Sequence, residues 1–186
     1  NETIFAGKKG ALIGHYAGIV NFAGRKLAIH TDGVGSKVLV AQELEKYDTV
    51  GIDAIAMNVN DIICVGAKPI AGVDYLALAK EDEFLVSEIM KGLVKGAEES
   101  GIDIVGGETA ILPEIITGGK RPFDLAFTII GELNSEPITG EAIKPGDVII
   151  GLESSGLHSN GYTLARKILD IKKWGKKMLK PTKIYV

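Results

Sequence analysis

Between Thr31 and Gly66 the chain gathers residue types that phosphate and metal chemistry use. Thr31-Asp32-Gly33-Val34-Gly35-Ser36-Lys37 follows the apolar run Leu27, Ala28, Ile29. Two glycines without Cβ atoms let backbone N–H groups approach a phosphate, Lys37 can set a positive charge beside it, and Asp32 can hold the accompanying divalent cation. Further on, Asn58-Val59-Asn60-Asp61 lies in a segment whose apolar residues recur at helical spacing, so Asn58 and Asp61 share one helix face. A carboxylate in the middle of such a helix is expensive to bury alone, and a cation, a lysine or solvent must face it. The combination reads as a nucleotide-polyphosphate site. It is neither a Walker A loop nor a G-x-G-x-x-G dinucleotide fingerprint.

Other polar groups carry more than one reading. Asp32 taken alone is a loop carboxylate able to cap the next helix, and Asp53 reads as a first-turn acid favoured by the helix dipole. Gly106-Gly107-Glu108-Thr109 is a strand-to-loop junction that either cradles a phosphate, with Glu108 as a metal ligand, or simply makes a tight turn. Ser154 to Tyr162 sets hydroxyl, amide and imidazole groups ahead of a helix, which suits an anionic or sugar-phosphate ligand. His158 and Ser159 do not form a hydrolase elbow, because Gly-x-Ser-x-Gly is absent. His15 and His30 have no second imidazole at ligand spacing and read as surface or core histidines.

The elements that must position these groups alternate between strand and helix. Residues 1 to 17 read as an irregular approach containing Gly7, Gly10 and Gly14. Ala17 to Phe22 and Arg25 to His30 read as a hairpin turning at Ala23-Gly24. A short helix over Val38 to Lys46 comes next, followed by a second running from an N-cap at Thr49 to about Val65 and ended by Gly66. Ile70 to Ala79 alternates as a strand. Asp82 to Ser100 repeats Leu85, Ile89, Leu93 and Ala97 at four-residue steps, a helix ended by Gly101. Strands are expected over Ile102 to Val105, Asp124 to Leu133 and Val148 to Leu152, a loop over Ile111 to Pro122, and a helix over Thr163 to Leu169. The fold class is therefore α/β (α+β), a mixed β-sheet with flanking helices. Residues 1–140 read as one domain and 141–186 as the start of a second, with the boundary near Pro137 to Gly146.

Bulk properties narrow the partners. With 186 residues and a net charge of −3, the chain can bury a proper core and shows no general footprint for nucleic acid. The basic stretch Lys172 to Lys183 reads as solvated surface. A single cysteine, Cys64, excludes a disulfide framework and suits a reducing, cytoplasmic setting. No apolar run reaches the length of a membrane span, and no signal segment is visible.

Four separated motifs then converge on one family. Thr31 to Lys37, Gly51-Ile52-Asp53 through Asp61, Gly106 to Thr109 with Pro113, and Ser155-Gly156 with His158 to Tyr162 together resemble the phosphoribosylformylglycinamidine cyclo-ligases, the aminoimidazole ribonucleotide synthetases of purine biosynthesis. The closing run Leu179 to Val186 is similar too. The resemblance implies an ATP-binding N-terminal domain whose sheets pair across a homodimer, and ATP-dependent ring closure of formylglycinamidine ribonucleotide through phosphorylation of its formyl amide oxygen. It further implies Asp32 and Asp61 as Mg²⁺ or catalytic carboxylates, Thr31, Lys37 and Asn58 in the nucleotide site, Gly106, Gly107 and Glu108 as nucleotide contacts, and His158, Ser159 and Asn160 along the sugar phosphate. Ser36 stands where the family usually has Thr, and the family's later His-Ile-Thr-Gly-Gly-Gly segment has no counterpart in these residues, so the expectation is a truncated or partial chain. The wider superfamily holds other ATP-using enzymes, selenophosphate synthetase and thiamine-monophosphate kinase among them, and one of these or a non-catalytic nucleotide-binding dimerisation module is the alternative.

Overall fold

A computed structural model describes Leu12 and residues 14–186. Most of the expected irregular approach, with Gly7 and Gly10, lies outside the described residues. Strand β1 (Gly18–Phe22) turns into β2 (Arg25–Gly33) through Ala23 and Gly24, both at positive φ, with Phe22 paired to Arg25. Two left-handed residues match the right-handed twist of the strands they join, which is why a two-residue connection closes this hairpin. A 3₁₀ turn at Gly35–Lys37 leads into α1 (Val38–Leu44) and then α2 (Asp48–Cys64). Thereafter β3 (Lys68–Leu78), α3 (Glu83–Ser100) and β4 (Asp103–Ile111) form a parallel crossover unit, and β5 (Phe123–Leu133) returns antiparallel into the sheet. The sheet order is β1-β2-β5-β3-β4, a mixed sheet as expected.

The α3 reading holds closely. Asp82 caps it by accepting from Leu85 N at 3.0 Å, Gly101 ends it at φ +65°, and Leu85, Ile89, Leu93 and Ala97 are buried. Helices α2 and α3 pack closely because Gly51 and Gly92 face each other: a Cβ at Gly51 would lie 2.3 Å from Leu93 N. The other face of α2 crosses β2 and β5 and covers Ala28, Leu125, Phe127 and Ile129. The opposite sheet face, bearing Ile29, Val73, Tyr75 and Val105, is exposed.

Four expectations change. Helix α2 starts at Asp48 after an N-cap at Tyr47 that makes no side-chain cap, so Thr49 lies inside its first turn and does not cap it. Gly106, Gly107 and Glu108 lie within β4, which runs on to Ile111; parallel pairing with β3 carries the glycine pair in extended backbone. Val148 to Leu152 forms no strand and joins neither edge of the sheet, and Ile149 is 96% exposed. The basic C-terminal stretch is not merely solvated. After α4 (Tyr162–Ile168), α5 (Ile171–Met178) buries Gly175 and Met178, with Gly175 so close to Leu44 that a Cβ would meet its Cδ1 at 2.7 Å.

Candidate functional site

Alternation along β2 points Ala28, His30 and Asp32 toward α2, and Ile29 and Thr31 toward the open sheet face. Thr31 accordingly accepts a hydrogen bond from Thr128 Oγ1 at 2.9 Å and donates to Phe127 O at 3.2 Å, on the side away from Asp32. Asn58, fully buried on α2, ties that helix to the end of β2: its Nδ2 donates to Ala54 O at 2.8 Å and to Asp32 O at 3.2 Å. With both amide hydrogens used, Asn58 Oδ1 is left to accept, and His30 Nδ1 lies 3.1 Å from it. Nε2 of the same ring lies 3.1 Å from Asp61 Oδ2.

Asp61 is thus where the helical spacing put it, one turn from Asn58, with its side chain 32% exposed. Partial burial pushes its carboxyl above the usual range, the nearby His30 pulls it down, and the negative charge of Asp32 pushes it up again. Two carboxylates that repel each other at the rim of a helix and a strand end suit a hard divalent cation. Asp32 Oδ1 is already engaged by Gly33 N at 2.8 Å, which leaves its other oxygen. No cluster of three or more His, Cys, Asp or Glu that could hold a metal occurs among the described residues. Two carboxylates nevertheless fit Mg²⁺, which keeps several waters and takes its remaining ligands from substrate phosphates.

Lys37 does not face this space. Its side chain is wholly buried, and Nζ donates to Asp53 Oδ1 at 2.9 Å, His158 O at 2.8 Å and Lys180 O at 2.9 Å. All three ammonium hydrogens are consumed, so the structure offers none to a phosphate. Asp53 is likewise no surface first-turn acid: its Oδ1 also accepts from Thr182 N and Thr182 Oγ1, both at 2.7 Å. Spacing along one helix gives no hint of Asp53's partners, which come from elements remote in the chain.

The C-terminal loop is organised around itself. His158 sits at φ +57°, its Nε2 accepts from Ser155 N at 3.2 Å, and burial followed by the Lys37 charge holds its pKa below the ordinary value, which keeps the ring neutral. Ser159 is buried against Thr182 Oγ1 at 2.9 Å. Of the three proposed sugar-phosphate residues, only Asn160 is exposed. Gly106, Gly107 and Glu108 are exposed on β4, three strand spacings or roughly 14 Å from β2, so one chain does not bring them beside Asp32 and Asp61. Gly107 pairs with Asp74, and a Cβ there would lie 2.3 Å from Asp74 Oδ1. The residue that spacing rules miss is His30, although its place two residues before Asp32 in an alternating strand carries the signal.

Comparison with known proteins gives this geometry a context. The family model described as "AIR synthase related protein, N-terminal domain" matches residues 14–133, and that family's C-terminal domain model matches residues 144–186. The phosphoribosylformylglycinamidine cyclo-ligase of Pyrococcus furiosus is 54% identical over 186 aligned residues, covering 94% of this chain and 54% of that protein. The chain therefore spans about half the length of the curated relatives it matches. Among solved structures, tt0281 from Thermus thermophilus aligns with a TM-score of 0.56 at 23% identity, over 67% of this chain and 38% of that one. AaThiL complexed with AMPPCP and TMP aligns with a TM-score of 0.52 at 25% identity, over 64% of this chain and 36% of that one.

Proposed function

Because the chain belongs to the AIR synthase related protein family, we propose that it carries the nucleotide-handling part of a phosphoribosylformylglycinamidine cyclo-ligase. The observation that carries the reading is the 54% identity to a protein of that name along 94% of the chain. The convergence of Asp32 and Asp61 supports it in physical terms. In this reading ATP phosphorylates the formyl amide oxygen of formylglycinamidine ribonucleotide, an internal nitrogen attacks the same carbon, and phosphate leaves as the imidazole ring closes. Phosphoryl transfer asks for alignment and charge neutralisation more than for a strong base.

The residues divide this work. Asp32 and Asp61 would hold Mg²⁺, which when bound supplies charge neutralisation at the polyphosphate oxygens. Asn58 locks the strand end carrying Asp32 to the helix carrying Asp61. Gly33 and Gly35 leave backbone room for phosphate, while Lys37 fixes the loop's base from below. Gly106, Gly107 and Glu108 serve a nucleotide across a homodimer, each protomer offering its open sheet face to the other, and Thr31 lies on that same face. Asn160, held out by the buried Ser159 and the neutral His158, meets the sugar phosphate. Residues 1–140 form the ATP-binding and dimerisation domain and 141–186 begin the second, a division supported by the 14–133 and 144–186 matches. The reading places the protein in the cytoplasm, without nucleic acid or membrane partners. Among the described residues no helix is long and apolar enough to cross a membrane.

Titrating Mg·ATP calorimetrically into the wild-type chain and Asp61→Asn tests the site. A loss of about tenfold or more, about 1.4 kcal/mol, in the variant is the expected result. Equal binding by both would remove Asp61 from the nucleotide site.

A further inference from the structure

Resting on the metal and nucleotide reading above, we propose that His30 is a positioning residue of that site, fixing the Asp61 carboxylate relative to Asp32. The ring is 17% exposed and has an oxygen 3.1 Å from each nitrogen, so it has one orientation: Nδ1 toward Asn58 Oδ1, Nε2 toward Asp61 Oδ2. The direction of the first bond follows from Asn58, whose two amide hydrogens already go to Ala54 O and Asp32 O. Nδ1 must therefore donate, and Nε2 donates to the ionised Asp61 carboxylate when the ring is the imidazolium. A continuous chain results, Asp32 backbone to Asn58 to His30 to Asp61, joining the two carboxylate-bearing residues without either carboxylate touching the other.

The arrangement does three things at once. It takes up Asp61 Oδ2 and leaves Oδ1 for a cation. It removes the rotamer freedom that an aspartate at a helix rim otherwise keeps, so less ordering remains to be done when a metal arrives. It also transmits any shift of α2 against β2 to both carboxylates together, because Asn58 belongs to the helix and His30 to the strand. Partners behind a ligating group commonly set metal affinity in this way, and removing one costs roughly 10- to 100-fold.

The two ring nitrogens can be tested separately. A glutamine amide reaches the position of Nε2, and an asparagine amide that of Nδ1. Mg·ATP is titrated calorimetrically into the wild-type chain, His30→Gln, His30→Asn and Asp61→Asn, with thermal unfolding of each recorded. Positioning predicts that His30→Asn binds about tenfold more weakly or worse, and that His30→Gln recovers most of the loss, with no matching difference in unfolding temperature. Wild-type affinity in both His30 variants, or equal losses in both, overturns the proposal while a weakened Asp61→Asn leaves the metal site standing. Unchanged binding in Asp61→Asn overturns the metal site and this role of His30 with it.

Discussion

Lys37 and Asp53, sixteen residues apart on the 3₁₀ turn and α2 with α1 between them, meet at 2.9 Å with both side chains wholly buried. The pair is not isolated: Lys37 also holds two backbone carbonyls and Asp53 also holds Thr182, so each charge is shared among several dipoles. Burial pulls the Lys37 pKa below its ordinary value, opposed by the Asp53 charge. Removing one partner strands the other. Lys37→Met is expected to cost about 3–5 kcal/mol in urea unfolding, the usual penalty for breaking a buried pair. A Lys37→Met chain that keeps its stability and loses only Mg·ATP binding would show that the lysine serves the nucleotide after all.

Cys64 follows Asp61 by three residues on α2, and its thiol is pushed up first by burial and then by the Asp61 charge. Asp61→Asn removes the second cause and lowers the thiol pKa. Below that pKa the thiolate fraction rises about threefold for each half unit of lowering, so alkylation by iodoacetamide at mildly alkaline pH is expected to quicken. An unchanged rate would mean that the two side chains are electrostatically separate.

Gly107 leaves room for Asp74, and Gly107→Ala forces its methyl against Oδ1 of that carboxylate. The expected cost is about 1–3 kcal/mol. In an Asp74→Ala background part of that cost disappears, giving a coupling of about 0.5 kcal/mol or more in a double-mutant cycle of unfolding free energies. Additive losses would place the strain elsewhere.

Asp74 also predicts a pH effect. Burial raises its carboxyl above the ordinary value, so the folded state favours the protonated form. Its contribution is present below the unfolded pKa and fades as pH rises through the folded one. Asp74→Asn, which cannot ionise, is therefore expected to gain in melting temperature over the wild type between acid and neutral pH. A constant difference across that range would contradict the assignment.

The proposed dimer uses the open sheet face. Val105, 68% exposed, stands there with Val73 and Tyr75. Val105→Asp would set a carboxylate in the centre of such an interface and shift sedimentation toward the monomer, whereas the same substitution at Val94, on the outer side of α3, should leave it unchanged. Equal sedimentation of both variants and the wild type would exclude this face.

Features with local causes are legible in the chain. The Ala23-Gly24 turn, the Leu85 to Ala97 stripe and the shared face of Asn58 and Asp61 each follow from spacing within one element. Lys37 is not legible, because a lysine beside two glycines looks the same whether it meets a phosphate or Asp53, and the choice depends on His158, Lys180 and Thr182 folding over it. Gly106 and Gly107 look like a loop because paired glycines usually break strands, and only parallel pairing with β3 extends them. Val148 to Leu152 has the composition of a strand, but composition does not say whether a segment pairs, and this one pairs with neither edge of the described sheet. His30 is legible in principle, since alternation from Ala28 to Asp32 aims it at α2, but a lone histidine carries no pattern of its own.

The bond from Thr182 to Asp53 spans 129 residues, and that separation has a consequence for the order of events during synthesis. Lys37 and Asp53 are close in the chain and can meet first, but the groups that seal them, from His158 to Thr182, follow much later in the sequence. Until then the charged pair stays wet, and hydration compensates it. Closing so long a loop is slow and gains nothing before its last contact forms. We therefore expect refolding of the chain to include a late phase in which residues 158–182 settle onto α2, slowed by Thr182→Ala and untouched by Ile89→Val, with the water around Lys37 expelled only in that step.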